Sequence, residues 1–332
     1  MNSSGGNIII TYFHRNLKAG YSINKVTQTI VSTIPNKREF YVPCVRIYGV
    51  LRNIWYVYKH RDKGGINHIT GDIHYCILAL IGCKSVLTVH DLVAIDYNGK
   101  SWIYKTFNKW FQFVLPLKFA TKVVCISEET KRRVLKYTKR TDIEVIHNAV
   151  DPAIPTVLKN QSNNPYRVLV VGTRANKNLE RTILALKGVE CELTIIGRLS
   201  NKQLVFLDDC GIKYVNRENL SDQEIIDEYV NCDIVSFISL YEGFGMPIIE
   251  ANKVGRPVIT SDIPVLREVA GDSALFVNPM DVNDIHKGFL RLFEDSDLRE
   301  TCVKKGLENV KRFVCSHIRE EWMELYSEIL RV

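Results

Sequence analysis

No two of the nine cysteines in this 332-residue chain form a Cys-x-x-Cys pair. Thiols scattered singly from Cys44 to Cys315 argue against a zinc site or a disulfide framework and read as reduced and mostly buried. No apolar run reaches the roughly 18 to 20 residues a spanning helix needs. Residues 1–10 carry no charged n-region and no cleavage site, so the protein is expected to remain cytosolic. A Gly-x-Gly-x-x-Gly fingerprint is missing, which weighs against a nicotinamide enzyme. There is no internal repeat and no low-complexity tract. With 46% hydrophobic and 24% charged residues, the composition is that of an ordinary folded protein.

Acidic residues are scarce in the first half. Residues 1–150 hold 22 Lys or Arg against 9 Asp or Glu, a surplus of 13, which leaves −6 for the remainder of a chain whose net charge is +7. A basic domain favours an anionic partner, either nucleic acid or the inner-leaflet lipid surface. From Lys100 to Phe113, Lys105 and Lys109 alternate with Trp102, Tyr104, Phe107, Trp110 and Phe111, a composition suited to the headgroup region. The competing reading turns these aromatics inward on a core helix and leaves the lysines as its solvated face.

At 332 residues the chain is long for one domain and comfortable for two, because single cores stop growing near roughly 250 residues. Apolar, β-branched runs recur at Ile8–Tyr12, Val86–Val89, Lys122–Ile126, Glu144–Ile146, Arg167–Val171, Glu192–Ile196 and Val230–Leu240. Most are followed by a polar turn and a helical stretch, starting with a helix from Ser22 through Ile34. That alternation predicts parallel sheets covered by helices. The Pro- and Asn-rich segment from Asp151 to Pro165 is the best boundary. It separates a first domain over 1–152 from a second over 165–315, and an amphipathic helix over 316–332 closes the chain.

The densest chemistry lies in Tyr241-Glu242-Gly243-Phe244-Gly245-Met246-Pro247-Ile248-Ile249-Glu250-Ala251. Pro247 suits the first helical position and Gly255 the residue just past the helix end, so a short helix begins beside Glu250. Its N-terminus presents unpaired N–H groups to an anion, and Gly243 and Gly245 admit a close backbone approach. Two carboxylates eight residues apart suit a ligand with hydroxyl pairs near its phosphates. A second glycine turn, Val171-Gly172-Thr173-Arg174-Ala175-Asn176-Lys177-Asn178, follows a strand, opens a helix and carries two cations, as a diphosphate site would. Asp295-Ser296-Asp297 has the form of a metal-binding Asp-x-Asp but sits between helical stretches, where Asp and Ser serve as caps.

The run from Glu242 to Glu250, continued by Gly255-Arg-Pro257-Val258, resembles the Glu-x7-Glu signature of retaining GT-B glycosyltransferases of family 4 (glycosyl transferases group 1). The resemblance implies two Rossmann-like domains facing across a cleft, with the C-terminal helix crossing back to the N-terminal domain. It implies that the first domain binds the acceptor and the second a nucleotide-sugar. It also implies that Glu242, His90 and Lys177 carry the chemistry. Arg174, Lys177, Gly243, Phe244, Gly245, Met246 and Glu250 would hold the donor, with Gly20 and Ser22 from the glycine loop of the first domain. Glu250 would take both ribose hydroxyls and Lys177 the phosphates. No metal and no cofactor is expected beyond the nucleotide-sugar, with GDP-mannose or a UDP-sugar as the donor.

The expected acceptor is a saccharide or lipid-linked saccharide of a bacterial surface polysaccharide such as O-antigen or capsule, with peripheral contact to an anionic membrane and no nucleic-acid partner. Three readings compete with it. One is a GT-B epimerase or phosphorylase. Another is a nucleotide-binding scaffold of the same fold that has lost turnover. The third is a nucleic-acid binder using the basic half, which salt-dependent oligonucleotide binding would reveal.

Overall fold

The computed structural model describes residues 9–20, 22–45, 49–92, 109–159 and 161–331. Two compact units emerge. One comprises the chain up to Ala149 together with the segment from Cys315 on, and the other is Val150–Val314. Each is built on a six-stranded, wholly parallel sheet.

In the first unit the strands are β1 (Ile10–His14), β2 (Lys37–Tyr41), β3 (Ile66–Ile69), β4 (Ser85–Val89), β5 (Lys122–Cys125) and β6 (Ile143–Val145), in the order β2-β1-β3-β4-β5-β6. Side chains alternate between its faces, as the pleat demands. Phe13, Leu87, Val89 and Val123 pack on one side with Val57 and Leu117. Ile10, Tyr12, Val86 and Val124 pack on the other against Ile318, Trp322 and Tyr326 of the C-terminal helix Cys315–Arg331. That helix is pinned by polar contacts as well: the Tyr326 hydroxyl meets Tyr12 Oη at 2.9 Å and His68 Nδ1 at 2.8 Å.

The second unit holds β7 (Tyr166–Val171), β8 (Cys191–Ile196), β9 (Lys213–Arg217), β10 (Ile234–Phe237), β11 (Val258–Ser261) and β12 (Ala274–Val277), in the order β12-β11-β10-β7-β8-β9. This is the doubly wound order in which the chain reverses its direction of travel between the first and fourth strands, here β7 and β10. The connection to the first unit is anchored by Arg256, only 2% exposed, whose guanidinium donates to the carbonyls of Val157, Cys232 and Gly255. Buried charge is tolerable there because four of its hydrogen bonds, one of them from Nη2 to the Val230 carbonyl, end on carbonyl oxygens.

Several expectations need correction. The first strand is described over Ile10–His14 and ends two residues beyond the apolar run, with Phe13 and Tyr12 packed into opposite cores. The helix opening at Ser22 stops at Val31. The strand expected over Val230–Leu240 spans only Ile234–Phe237, since Val230 still belongs to the helix Asp222–Asn231. The C-terminal helix is described over Cys315–Arg331, starting one residue before the expected 316. Asp295 caps the helix Ser296–Asn309 by accepting from Leu298 N at 2.8 Å, the capping role expected of it. Lys100 to Phe107 lie outside the described residues. At the end of that segment Phe113 is buried in the core and Phe111 stacks on Tyr75, whereas Trp110 is exposed.

Candidate active site

In a doubly wound sheet the loops leaving the two strands at the reversal point diverge to opposite faces and open a crevice at the carboxyl ends. In the second unit those loops are Gly172–Asn178, after β7, and Ile238–Gly245, after β10. They are the two segments singled out in the sequence, and the sheet order brings them together. Lys177 Nζ donates to Glu242 Oε1 at 2.6 Å and lies 4.5 Å from the centre of the Phe237 ring. Asn176 reinforces the junction: its Nδ2 donates to the Tyr241 carbonyl at 3.1 Å and to Glu242 Oε1 at 3.3 Å, while its own carbonyl accepts from Leu240 N at 2.8 Å.

The backbone of the first loop explains its sequence. Gly172 has φ +95°, and a Cβ there would press on the Lys177 stem at 3.1–3.2 Å, so the absence of a side chain seats the lysine. Asn178 takes the left-handed conformation tolerated by asparagine and anchors it through Nδ2 to the Pro279 carbonyl at 2.7 Å. Arg174 is exposed at the start of the turn Ala175–Lys177. It stands on the same loop as Lys177 but is not held in the Lys177–Glu242 contact.

The second loop feeds the helix Met246–Val254, closed by Gly255 at φ +86°. Pro247 occupies the second helical position rather than the first. No side chain caps the first turn, so its N–H groups present partial positive charge at the carboxyl edge of the sheet. Gly245 has φ +138°, and a Cβ would meet Leu266 Cδ2 at 3.0 Å. Its requirement is therefore internal to the fold and needs no ligand. Phe244 is buried, its ring turned inward edge-on to Phe313.

Glu250 lies one turn into that helix and accepts from the Tyr229 hydroxyl at 2.6 Å. Burial, then the charge of Glu250, pushes the Tyr229 phenol well above its ordinary 10, so the hydroxyl keeps its proton and donates. Sequence reading gave no sign of Tyr229, which stands 21 residues upstream on a different helix.

In the first unit the reversal lies between β1 and β3. Arg15 fills the end of β1, 6% exposed, donating from Nη2 to the Gly20 carbonyl at 3.1 Å and placing Nη1 3.6 Å from Asp72. Gly20, at φ +123°, would bring a Cβ to 3.3 Å from that guanidinium. Its immediate role is to make room for Arg15, a residue the sequence reading passed over. Ser22, exposed, opens the helix Ser22–Val31. His90, at the end of β4, shares its Nε2 proton with the Thr70 carbonyl at 2.9 Å and lines a cavity of about 40 Å³ with Tyr12, His68, Thr70 and Thr88. That is room for roughly two or three waters.

Four buried histidines surround this edge. Burial holds His14 and His74 at about 4, lowers His90, and holds His68 well below 6.5, so all four are neutral in the folded protein. In the unfolded chain they bind protons near 6.5. The unfolded state therefore takes up more protons as pH falls from about 6.5 towards 4, and native stability is lost across that window. Calorimetry of the full chain should show melting temperature falling steeply there; a flat profile would mean the histidines are solvated.

Family models match both halves of the chain: "Glycosyltransferase Family 4" over residues 19–154 and "Glycosyl transferases group 1" over residues 157–309. The O-antigen chain mannosyltransferase RfbU of Salmonella typhimurium is 30% identical over 246 residues, 69% of this chain and 67% of that protein. The O-antigen chain mannosyltransferase B of Escherichia coli is 33% identical over 106 residues, and the match spans 28% of its length. Among solved structures, Anabaena HepE in complex with UDP-glucose superposes with a TM-score of 0.78 at 14% identity, over 96% of this chain and 99% of that one. The shared architecture is the GT-B fold.

Proposed function

Since the chain belongs to glycosyltransferase family 4, with a group 1 glycosyl transferase region in its second unit, we propose that it moves a sugar from a nucleotide-sugar to a saccharide or lipid-linked saccharide acceptor in surface-polysaccharide synthesis. Transfer retains the configuration of the donor carbon, and no metal is required. The observation that carries this reading is the Lys177–Glu242 pair beside an uncapped helix N-terminus at the β7/β10 reversal.

The bond between the donor sugar and the diphosphate breaks with negative charge gathering on phosphate, so a fixed ammonium and helix N–H groups there favour the transition state over the ground state. Lys177 and the first turn of Met246–Val254 fill that role, with Arg174 able to reach the diphosphate from the loop surface. Glu242 accepts from hydroxyls of the donor sugar and Glu250 from those of the ribose. In the first unit, His90 is assigned to the chemistry and the Gly20–Ser22 loop to the donor, as the family resemblance implies. The acceptor hydroxyl attacks from the face the phosphate leaves, and its proton goes to the departing phosphate oxygen, so Glu242 need not form a covalent bond. Mannosyl transfer is favoured by the names of the relatives, and UDP- and GDP-sugars are both donor candidates.

The test is thermal stabilisation across UDP-, GDP-, ADP- and dTDP-sugars without added metal, followed by nucleotide release with saccharide acceptors. A ligand that binds only the folded state raises its melting temperature, so one nucleotide series should give a selective shift. A shift with no nucleotide release from any acceptor would favour the scaffold that has lost turnover. No shift at all would refute the donor site.

A further inference from the structure

Beneath the C-terminal helix of the first unit, four polar side chains form an unbroken hydrogen-bonded chain. Tyr12 Oη meets Tyr326 Oη at 2.9 Å, Tyr326 Oη meets His68 Nδ1 at 2.8 Å, and His68 Nε2 meets Thr88 Oγ1 at 2.7 Å. All four are buried, and all four line the cavity beside His90. Burial keeps each member uncharged: it raises the phenols of Tyr12 and Tyr326 above their ordinary 10 and holds His68 well below 6.5.

Proton counting shows that the chain is incomplete. Each hydroxyl and the neutral imidazole supply one proton, so four protons serve three internal hydrogen bonds. With the imidazole proton on Nδ1, His68 donates to Tyr326, Tyr326 to Tyr12 and Thr88 to Nε2, and the Tyr12 O–H is left over. With it on Nε2 every donor reverses and the Thr88 O–H is left over. Either way one end hydroxyl lacks an acceptor within the chain, and among the described residues nothing else accepts from Tyr12 Oη or Thr88 Oγ1. A buried O–H left unmet is destabilising, so an oxygen acceptor belongs in the cavity.

The remaining wall sets the character of that acceptor. Val31, Ile126, Ile146 and Trp322 are apolar and buried, and half-buried Val26 and Thr27 stand at the rim. No Lys, Arg, Asp or Glu lines the cavity. A phosphate or carboxylate would therefore be buried without a counter-charge. A bare methyl suits the apolar wall but leaves the O–H unmet, and a bare hydroxyl does the reverse. An acetamido group carries both a carbonyl oxygen and a methyl, and its bulk suits a space of about 40 Å³. We propose that this cavity receives the acetamido group of an N-acetylated sugar in the acceptor, the carbonyl oxygen taking the surplus proton and the methyl lying against Val31, Ile146 and Trp322. The inference rests on the reading of the first unit as the acceptor-binding half of a glycosyltransferase and names the acceptor class. His90 lines the same cavity, which places that sugar beside a residue assigned to the chemistry.

The test is saturation-transfer NMR of the full chain with the methyl glycosides of N-acetylglucosamine and N-acetylgalactosamine, and of glucose and galactose, which carry a hydroxyl in place of the acetamido group. The acetyl methyl should take up the strongest saturation, and the parent glycosides should show little. Val26→Phe, which extends a ring from the rim into the cavity, should abolish the effect. Tyr12→Phe/Thr88→Val removes both end hydroxyls with little change of shape and should lower affinity about tenfold, the effect of one lost hydrogen bond. Leu184→Ser, exposed on the second unit, should change nothing. Melting curves verify the fold of each variant, and Val26→Phe decides the matter should the double variant not fold. Equal saturation of acetylated and parent glycosides, undiminished binding in a folded variant of either kind, or no saturation of the intact chain overturns the proposal and leaves the cavity to water. Binding here needs neither nucleotide-sugar nor turnover. Failure alongside a selective nucleotide shift would leave the transfer reading standing, and a missing nucleotide shift would not alter the result obtained with the glycosides.

Discussion

Replacing Lys177 with alanine is expected to lower turnover about 10²–10³-fold, the scale seen when one preorganised donor is removed from a developing anion. Among the described residues its ammonium meets Glu242 and the Phe237 ring. Its charge is held at the β7/β10 reversal, where the leaving diphosphate would gather charge. Donor affinity should fall less than turnover, because the interaction strengthens as the bond breaks. Lys177→Arg should not restore activity. The stem fits against Gly172 with no Cβ between them, and a planar guanidinium does not reproduce a compact ammonium at that spot. Steady-state kinetics against donor concentration, with the melting temperature as control, decides the matter. Activity within about threefold of the parent in a folded variant would remove Lys177 from the chemistry, whereas a collapsed melting temperature would reassign it to holding the two loops together.

Glu250→Ala is expected to weaken nucleotide binding about 30-fold, equivalent to about 2 kcal/mol for hydrogen bonds to a charged acceptor. Turnover at saturating donor should change little, since the ribose lies away from the breaking bond. Tyr229 supplies the control. Its hydroxyl donates to one carboxylate oxygen of Glu250 at 2.6 Å and so fixes the orientation of that carboxylate. Tyr229→Phe should raise the donor KM roughly five- to tenfold with kcat unchanged, and its effect should vanish in the Glu250→Ala background because the two act through one group. Calorimetric titration with the preferred nucleotide reads both. An additive double variant would mean that Tyr229 and Glu250 contribute separately, and a loss of kcat without loss of affinity would exchange the roles of Glu250 and Glu242.

The strands legible in the sequence were mostly those with a continuous apolar run: β4, β5, β7, β8 and β10 lie inside the sheets, buried on both faces, and read as such. The buried inner strand β11 escaped as well, but three others that escaped were of another kind. β2 and β9 are edge strands with alternating or partial exposure, written Lys-Arg-Glu-Phe-Tyr and Lys-Tyr-Val-Asn-Arg. β3 is wholly buried yet contains Asn67 and His68, whose polar groups are met by the Asp62 and Lys84 carbonyls, Tyr326 and Thr88. Composition conceals a strand whose polar atoms find partners far along the chain.

What the sequence by itself determined was local: glycines where the backbone takes positive φ, a proline at a helix start, and two carboxylates spaced by one turn and one helix entry. Those features are set by the dihedral limits of neighbouring residues, and a linear pattern records them. Only the tertiary structure joined Lys177 to Glu242 across 65 residues, Tyr229 to Glu250 across 21, and Arg15 to Asp72 across 57. It also chose the aromatic side chains that remain outside. Each of these depends on which strands lie side by side and which helix face the core consumes, and sheet order is a property of the packed whole that no single segment encodes.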